Sequence, residues 1–423
     1  MSYIQHEKLR YLTIILFIIL FSWVSFFPKP IHDRYTTWVR IFLGLFLLVF
    51  ILNDKYRKYI FSFRDWSLWL FLMCLVSGTI SGIDKAIVWR TYFYLTIIFF
   101  SIFYIGKGLY SDIKNRNIIN LIICICSSLV ALIGLLELYF KKNILYENLI
   151  PNPFYERYIS FRCMSTQLNP AVLGSFLLGC LPFNLYFLKS SSFLLKILGI
   201  SSSILCITII IQTFSRGVFL GLIILLLFYL RKRQKKIFLL FISCLVLLII
   251  ICSYQKDPNL NRFGFNRFIF GSYDSIFSEY RLTRLIMTLR ILKDEPFFGV
   301  GFGHFRIRFN EYCNERDKGE KFEFMVADNI YLTFLAETGL IGTVAFFIFI
   351  ILLFKNGLKK IKELKDKDKE QMIFIPVSAL VGLLVNIGGY DLFYWDNPYM
   401  LFCLICGFIQ GVIENTKLKR YED

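Results

Sequence analysis

Apolar residues in this chain fall in long unbroken runs, such as Tyr11–Phe27, Ile237–Cys252 and Ile341–Phe354, separated by short polar stretches. Such runs suit a hydrocarbon layer about 30 Å thick, which takes about 20 residues of helix. Backbone polar groups find no water in lipid, so each run must satisfy them internally, as a helix. Strands of a β-barrel would alternate apolar and polar positions, and these runs do not. The pattern predicts spans at 11–27, 37–52, 66–82, 87–105, 117–140, 169–188, 194–213, 217–230, 237–254, 329–354, 372–388 and 396–413, roughly twelve in all. The first run is long and rich in Phe and Ile, with no small-residue cleavage site after it, and reads as a retained helix. One hydrophilic stretch is long, 255–328. Within it a helix is expected from Ser278 to Asp294, ended by Pro296 and followed by a turn, Gly299-Val-Gly301-Phe-Gly303. The chain thus reads as an all-α polytopic membrane protein in three parts: helices over 1–254, a large loop over 255–328, and helices with a tail over 329–423.

Composition agrees. Of 423 residues, 57% are hydrophobic and 18% charged, too little charge for a soluble surface of this size. The net charge is +18, and its placement matters more than its size. Basic clusters at 55–58, at Lys107, Lys114 and Arg116, at 231–236, at 355–369 and at 417–420 fall in alternate loops. That is a positive-inside bias rather than a nucleic-acid footprint. It puts both termini in the cytoplasm and the loops 28–36, 83–86, 141–168, 214–216, 255–328 and 389–395 outside. The Lys-rich stretch 356–371 reads as a solvated extension of a helix. Most of the eleven cysteines lie in apolar runs, and no spacing suggests a zinc site or a disulfide framework. Cys163 and Cys313 fall in external segments, where pairing is conceivable but unsupported by spacing.

Charges at a membrane boundary are costly and therefore candidate functional groups. Arg216, in Thr213-Phe-Ser-Arg216-Gly217, sits on a very short connection at the outer surface. Its guanidinium either snorkels at a helix end or offers a fork of donors that matches a phosphate. Arg162 precedes a span and is either an interfacial anchor or a second such donor. Arg281 and Arg284, three residues apart, share a face of the loop helix, facing solvent beside Glu279 or holding a pyrophosphate. Asp328, followed by Asn329, opens a helix. It is either an N-cap or a general base for a hydroxyl, roles that compete because capping lowers a carboxylate's pKa. Glu337 reads as a hydrogen-bonded packing residue, and His304 as an external group able to titrate near neutrality. No nucleophile-elbow, Walker or metal-ligand motif is present, so the reading includes no metal and no cofactor.

At these residues the sequence resembles the O-antigen ligase and O-antigen polymerase family of bacterial inner membranes. Thr213-Phe-Ser-Arg216-Gly217 is similar to that family's S-R-G turn. The stretch from Arg281 to Pro296-Phe-Phe-Gly299-Val-Gly301-Phe-Gly303 is similar to its R…P-x-x-G-V-G-x-G element. Asp328-Asn329-x-Tyr331-Leu332…Glu337-Thr-Gly339-Leu-Ile-Gly342 is similar to its [H/D]-N-x-x-L…E-x-G-x-x-G element. Arg162 to Pro170 is similar to its R-x-x-G…P-N stretch, with Ser165 in place of the glycine. The strong part covers about 160–345.

The resemblance implies a metal-independent glycosyltransferase of GT-C-like architecture in the inner membrane. It would act on the periplasmic face upon a glycan carried on undecaprenyl pyrophosphate. Arg216, Arg281, Arg284 and Arg162 would hold the pyrophosphate. Asp328, where family ligases often carry His, would deprotonate the acceptor, with Asn329 and Glu337 in support. The partners implied are a lipid-linked oligosaccharide donor, a glycan or lipid A-core acceptor, and membrane lipids. A polytopic transporter or flippase of lipid-linked glycans is the alternative. It would show similar halves and charges near the midplane, whereas the informative charges here gather at one face.

Overall fold

The structure is a computed structural model that describes residues 3–26, 44, 66–145, 162–233, 275–312, 327–364 and 367–419. The expected spans 37–52 and 237–254 lie outside the described residues. Twelve helices are described: α1 (Tyr3–Phe26), α2 (Trp66–Ile80), α3 (Lys85–Ser111), α4 (Ile113–Phe140), α5 (Pro170–Tyr186), α6 (Phe193–Gln212), α7 (Arg216–Arg233), α8 (Ser275–Asp294), α9 (Phe305–Tyr312), α10 (Ile330–Glu363), α11 (Lys367–Ile387) and α12 (Asp396–Lys419). Among the described residues there is no strand. Seven helices are long and apolar enough to cross a membrane, and α1, α2 and α7 contribute shorter apolar stretches. The described residues are therefore all-helical, and the chain is a polytopic membrane protein.

Sequence chemistry sets the helix ends. Asp84 caps α3, accepting from the N–H groups of Ala86 and Ile87, and Asn169 caps α5 ahead of Pro170. Arg116 turns back on α3 and donates to the carbonyls of Tyr110 and Ser111, satisfying groups the helix leaves open. The sequence reading placed Lys107 and Arg116 in a basic surface loop. The structure buries both, and Lys107 pairs with Glu414 at 2.7 Å.

The centre of the bundle is α5 and α12, of whose apolar stretches 89% and 94% are buried, against 33% for α6. Helix α12 meets α3 at backbone distance. A Cβ at Gly407 would stand 2.3 Å from the Phe103 carbonyl oxygen, and one at Gly411 2.3 Å from that of Lys107. In lipid, where burial drives no association between helices, such close van der Waals contact holds them together. Both termini of the helices alternate, so one end of the bundle gathers the ends of α4, α6 and α11 and the starts of α5, α7, α10 and α12.

Candidate functional site

Pro296 and three glycines build the first wall at that end. Helix α8 stops at Asp294, and the chain turns through Gly299, Gly301 and Gly303 at φ of 66°, 92° and 74°. Helix α10 is broken opposite, at Gly339 (φ 63°, ψ −165°). The turn fits into the break. Val300 and Gly301 donate to the carbonyls of Ala336 and Glu337 (2.8 and 3.0 Å), while Leu340 and Ile341 donate to those of Pro296 and Phe297 (2.9 and 3.2 Å). Each backbone supplies partners for the other's open groups, which irregular backbone at membrane depth requires. The buried Glu337 carboxylate adds acceptors for the Phe305 N–H and the Tyr394 hydroxyl. It is a packing residue that fixes this turn. His304 is buried too, with Nδ1 2.9 Å from the Phe302 carbonyl and Nε2 accepting from Asp84 N–H at 3.0 Å. That pairing places the ring proton on Nδ1 and ties α9 to the start of α3, so the ring is a buried link and not an external group.

Above this turn α10 begins, and the capping role left open for Asp328 falls to its neighbour. The cap is Asn329, whose Oδ1 accepts from Tyr331 and Leu332 N–H (2.9 and 3.4 Å). Asp328 stands one residue outside the helix in a left-handed conformation (φ 50°), which Asp tolerates better than most residues. Its carboxylate is paired with Arg284 of α8. Its N–H donates to Oδ2 of Asp391 at 3.0 Å, and Oδ1 of Asp391 accepts from the Thr333 hydroxyl at 2.6 Å. Burial pushes the Asp391 carboxyl up to about 6, against the lowering effect of the Thr333 hydrogen bond; the Asp328 charge raises it further.

The opposite wall comes from the segment before α5 and from the α6–α7 turn. The Glu137 carboxylate takes the N–H groups of Met164 and Ser165 (3.0 and 2.7 Å), and Thr166 and Gln167 donate to the Ser25 carbonyl (2.6 and 2.9 Å). Ser165 is left-handed (φ 48°), which explains why a glycine suits that position. Arg162, held by this scaffold, donates from Nε to the Thr213 carbonyl at 2.8 Å and so joins the turn that ends in Arg216. Arg216 is exposed, at the first position of α7. Its neighbour Gly217 lies against Gly389, each so close that a Cβ on one would stand just over 3 Å from the other's Cα. This contact sets α7 against the loop that carries Tyr390 and Asp391. The Tyr390 hydroxyl accepts from Asn169 at 2.8 Å. Burial and the charges of Asp328 and Asp391 push its pKa up, while Arg162 acts in the other direction.

Five stretches distant in sequence therefore converge: 162–169, 213–217, Arg284, 328–329 and 389–391. Of the residues singled out from sequence, Arg162, Arg216, Arg284, Asp328 and Asn329 belong to them. Glu337 lies deeper, under the glycine turn. Arg281 sits three residues before Arg284 on α8, with its side chain outside the described residues. Cys163 is a buried free thiol donating to the Gly134 carbonyl, and Cys313 lies outside the described residues. Sequence reasoning missed Asp391, Tyr390 and Thr333. A signal existed for two of them: Gly388-Gly389-Tyr390-Asp391 is a polar interruption carrying an acid between two apolar runs. Among the described residues no group of His, Cys, Asp or Glu is placed to hold a metal ion.

Residues 201–347 match a family model described as O-antigen ligase. The matched segment contains Arg216, Arg284, Asp328, Asn329, Glu337 and the interlocked glycine turn. Arg162 and Asp391 come from outside it. No curated protein matches the chain.

Proposed function

We propose that this protein, similar over 201–347 to the O-antigen ligase family, is a glycosyltransferase of surface polysaccharide biosynthesis, moving or polymerising a glycan carried on a polyprenyl pyrophosphate. The observation that carries the reading is the pairing of Arg284 with Asp328 beside Asp391, with Arg162 and the Arg216 turn on the facing wall. A lipid pyrophosphate is a leaving group whose charge must be met by donors already in place. Arginine suits it, since its planar fork stays charged and binds phosphate oxygens two at a time. Arg216, Arg284, Arg162 and Arg281 are the residues we assign to that task. The acceptor hydroxyl oxygen forms the new bond to the anomeric carbon as the bond from that carbon to the pyrophosphate breaks. Asp328 takes the hydroxyl proton. Its carboxylate has this capacity because Asn329 performs the capping. The donor's pyrophosphate draws Arg284 from Asp328, so that donor binding uncovers the base. The site faces the periplasm, both termini are cytoplasmic, and the reaction uses no metal.

The test is a deletion strain complemented with variants, with surface polysaccharide run on a gel. Arg216→Lys keeps the charge but not the fork, and should abolish transfer at unchanged protein level; wild-type ladders from it would remove the phosphate clamp. In the deletion strain, loss of all long chains from lipid A indicates a ligase, and a core bearing one repeat indicates a polymerase. An unchanged profile would favour a different glycan or the transporter reading.

A further inference from the structure

Helix α8 was expected to belong to a soluble loop, yet it is apolar on two opposite faces. Met287 and Ile291 are buried with Val300, Phe305 and Phe309 on one side. On the other side Leu282, Leu285 and Leu289 form a stripe, with Leu282 and Leu289 56% and 51% exposed. Phe297, just beyond the helix, is 61% exposed. Arg281, Arg284 and Arg290 flank these faces and the exposed Lys293 follows Leu289, so α8 is not apolar throughout; its exposed leucine stripe is what needs a cover, either protein or lipid.

Depth decides between these. After the buried Glu337, the next charge on α10 is Lys355. Counting back about 20 residues for the hydrocarbon layer puts its far edge near residue 335. Arg284 meets Asp328, above that edge. Pro296 and Phe297 are hydrogen-bonded to Leu340 and Ile341, below it. From Leu340 onward α10 turns Ile341, Val344, Phe347 and Ile348 outward, with 51% of Val344 and 39% of Ile348 exposed. The stripe on α8 and Phe297 therefore run directly into an apolar face of α10 that is exposed to a similar degree. The irregular turn that follows has its N–H groups taken by Ala336, Glu337 and Gly78, the condition for non-helical backbone at this depth.

We infer that residues 282–303 form a re-entrant element that slants into the outer edge of the bilayer, with Leu282, Leu285, Leu289 and Phe297 seated among lipid acyl chains. The occupant of the exposed face is lipid, and Arg284 on the inner face is thereby held at headgroup level. This inference does not rest on the proposed transfer reaction.

Spin labels on cysteines introduced into the full chain in lipid vesicles test it, with the wild-type protein as background for its own thiols. Collision with oxygen, which concentrates in lipid, is compared with collision with a water-soluble nickel chelate. Labels at Leu289→Cys and Phe297→Cys should show a several-fold excess of oxygen over nickel collisions, matching Ile348→Cys on α10 and opposite to Glu311→Cys on α9. A nickel-dominated label at both positions would place the element in water. A label reached by neither reagent would mean that protein, not lipid, covers it. Either result overturns the inference. Transfer by the labelled proteins is measured alongside, so loss of activity is not mistaken for a change of depth.

Discussion

On the proposed reading, Asp328 and its neighbour divide two tasks that one residue cannot perform together. A capping carboxylate is stabilised as an anion and is a poorer base. Asn329 takes the cap, and Asp328 is turned out of the helix in a backbone conformation that Asp, Asn and His adopt more readily than other residues. Asp328→Asn keeps that backbone preference and removes the base. It should therefore leave folding intact while transfer falls by about 10²-fold or more, the usual contribution of general base catalysis; undiminished ladders would end the assignment. Asp391 offers a test by pH. Its carboxyl is raised from 3.8 to about 6 by burial, so the folded state binds its proton more tightly than the unfolded state. Its contribution to stability is then full below pH 4 and lost as pH rises through 6. Melting temperatures of the solubilised protein should show this decline in the wild type and not in Asp391→Asn. An equal decline in both would assign it to other groups.

At the scale of elements, the informative unit is a pair of motifs. The glycine turn after α8 and the break in α10 look unrelated in sequence, some forty residues apart, yet each fills the other's backbone valences. Gly301 has φ 92°, and a Cβ there would stand 2.5 Å from the Ser81 carbonyl oxygen. Gly301→Ala should cost several kcal/mol, because a strained backbone conformation of about 1–3 kcal/mol adds to a clash with main chain. The readout is loss of monodisperse protein on size exclusion, or a lowered melting temperature. The same glycine-to-alanine change at Gly44, where a Cβ meets nothing within 4 Å, serves as the control. The sequence announced both motifs through Pro296 and the spaced glycines. It did not announce that they interlock, since hydrogen bonding between them depends on two helices being side by side.

The whole molecule positions the site through helix contacts far from it. Helices α3 and α12 touch backbone to backbone through Gly407 and Gly411, and the buried Lys107–Glu414 pair lies beside them. Gly407→Leu should push α12 away and destabilise the bundle by about 1–3 kcal/mol or more, as overpacking does. Because α12 follows directly on the loop bearing Asp391, transfer should fall with stability in this variant, unlike in Asp328→Asn. A melting curve beside the gel separates the two cases. The hydrophobic pattern alone determined that the chain is helical and crosses a membrane, because lipid leaves backbone groups no partner but their own helix. It also determined most helix ends, where Pro, Asp and Asn act locally, and it marked Arg216, Arg284 and Asp328 by setting charge against the membrane edge. The tertiary structure decided the rest: that Arg284 meets Asp328, that Asn329 and not Asp328 caps α10, that Lys107 and Arg116 are buried, and that Asp391 joins the site from sixty residues away. The physical reason is that spacing along a chain fixes which face of one helix a residue occupies. Which charge finds its counter-charge depends on how separate helices pack, and no local pattern encodes that.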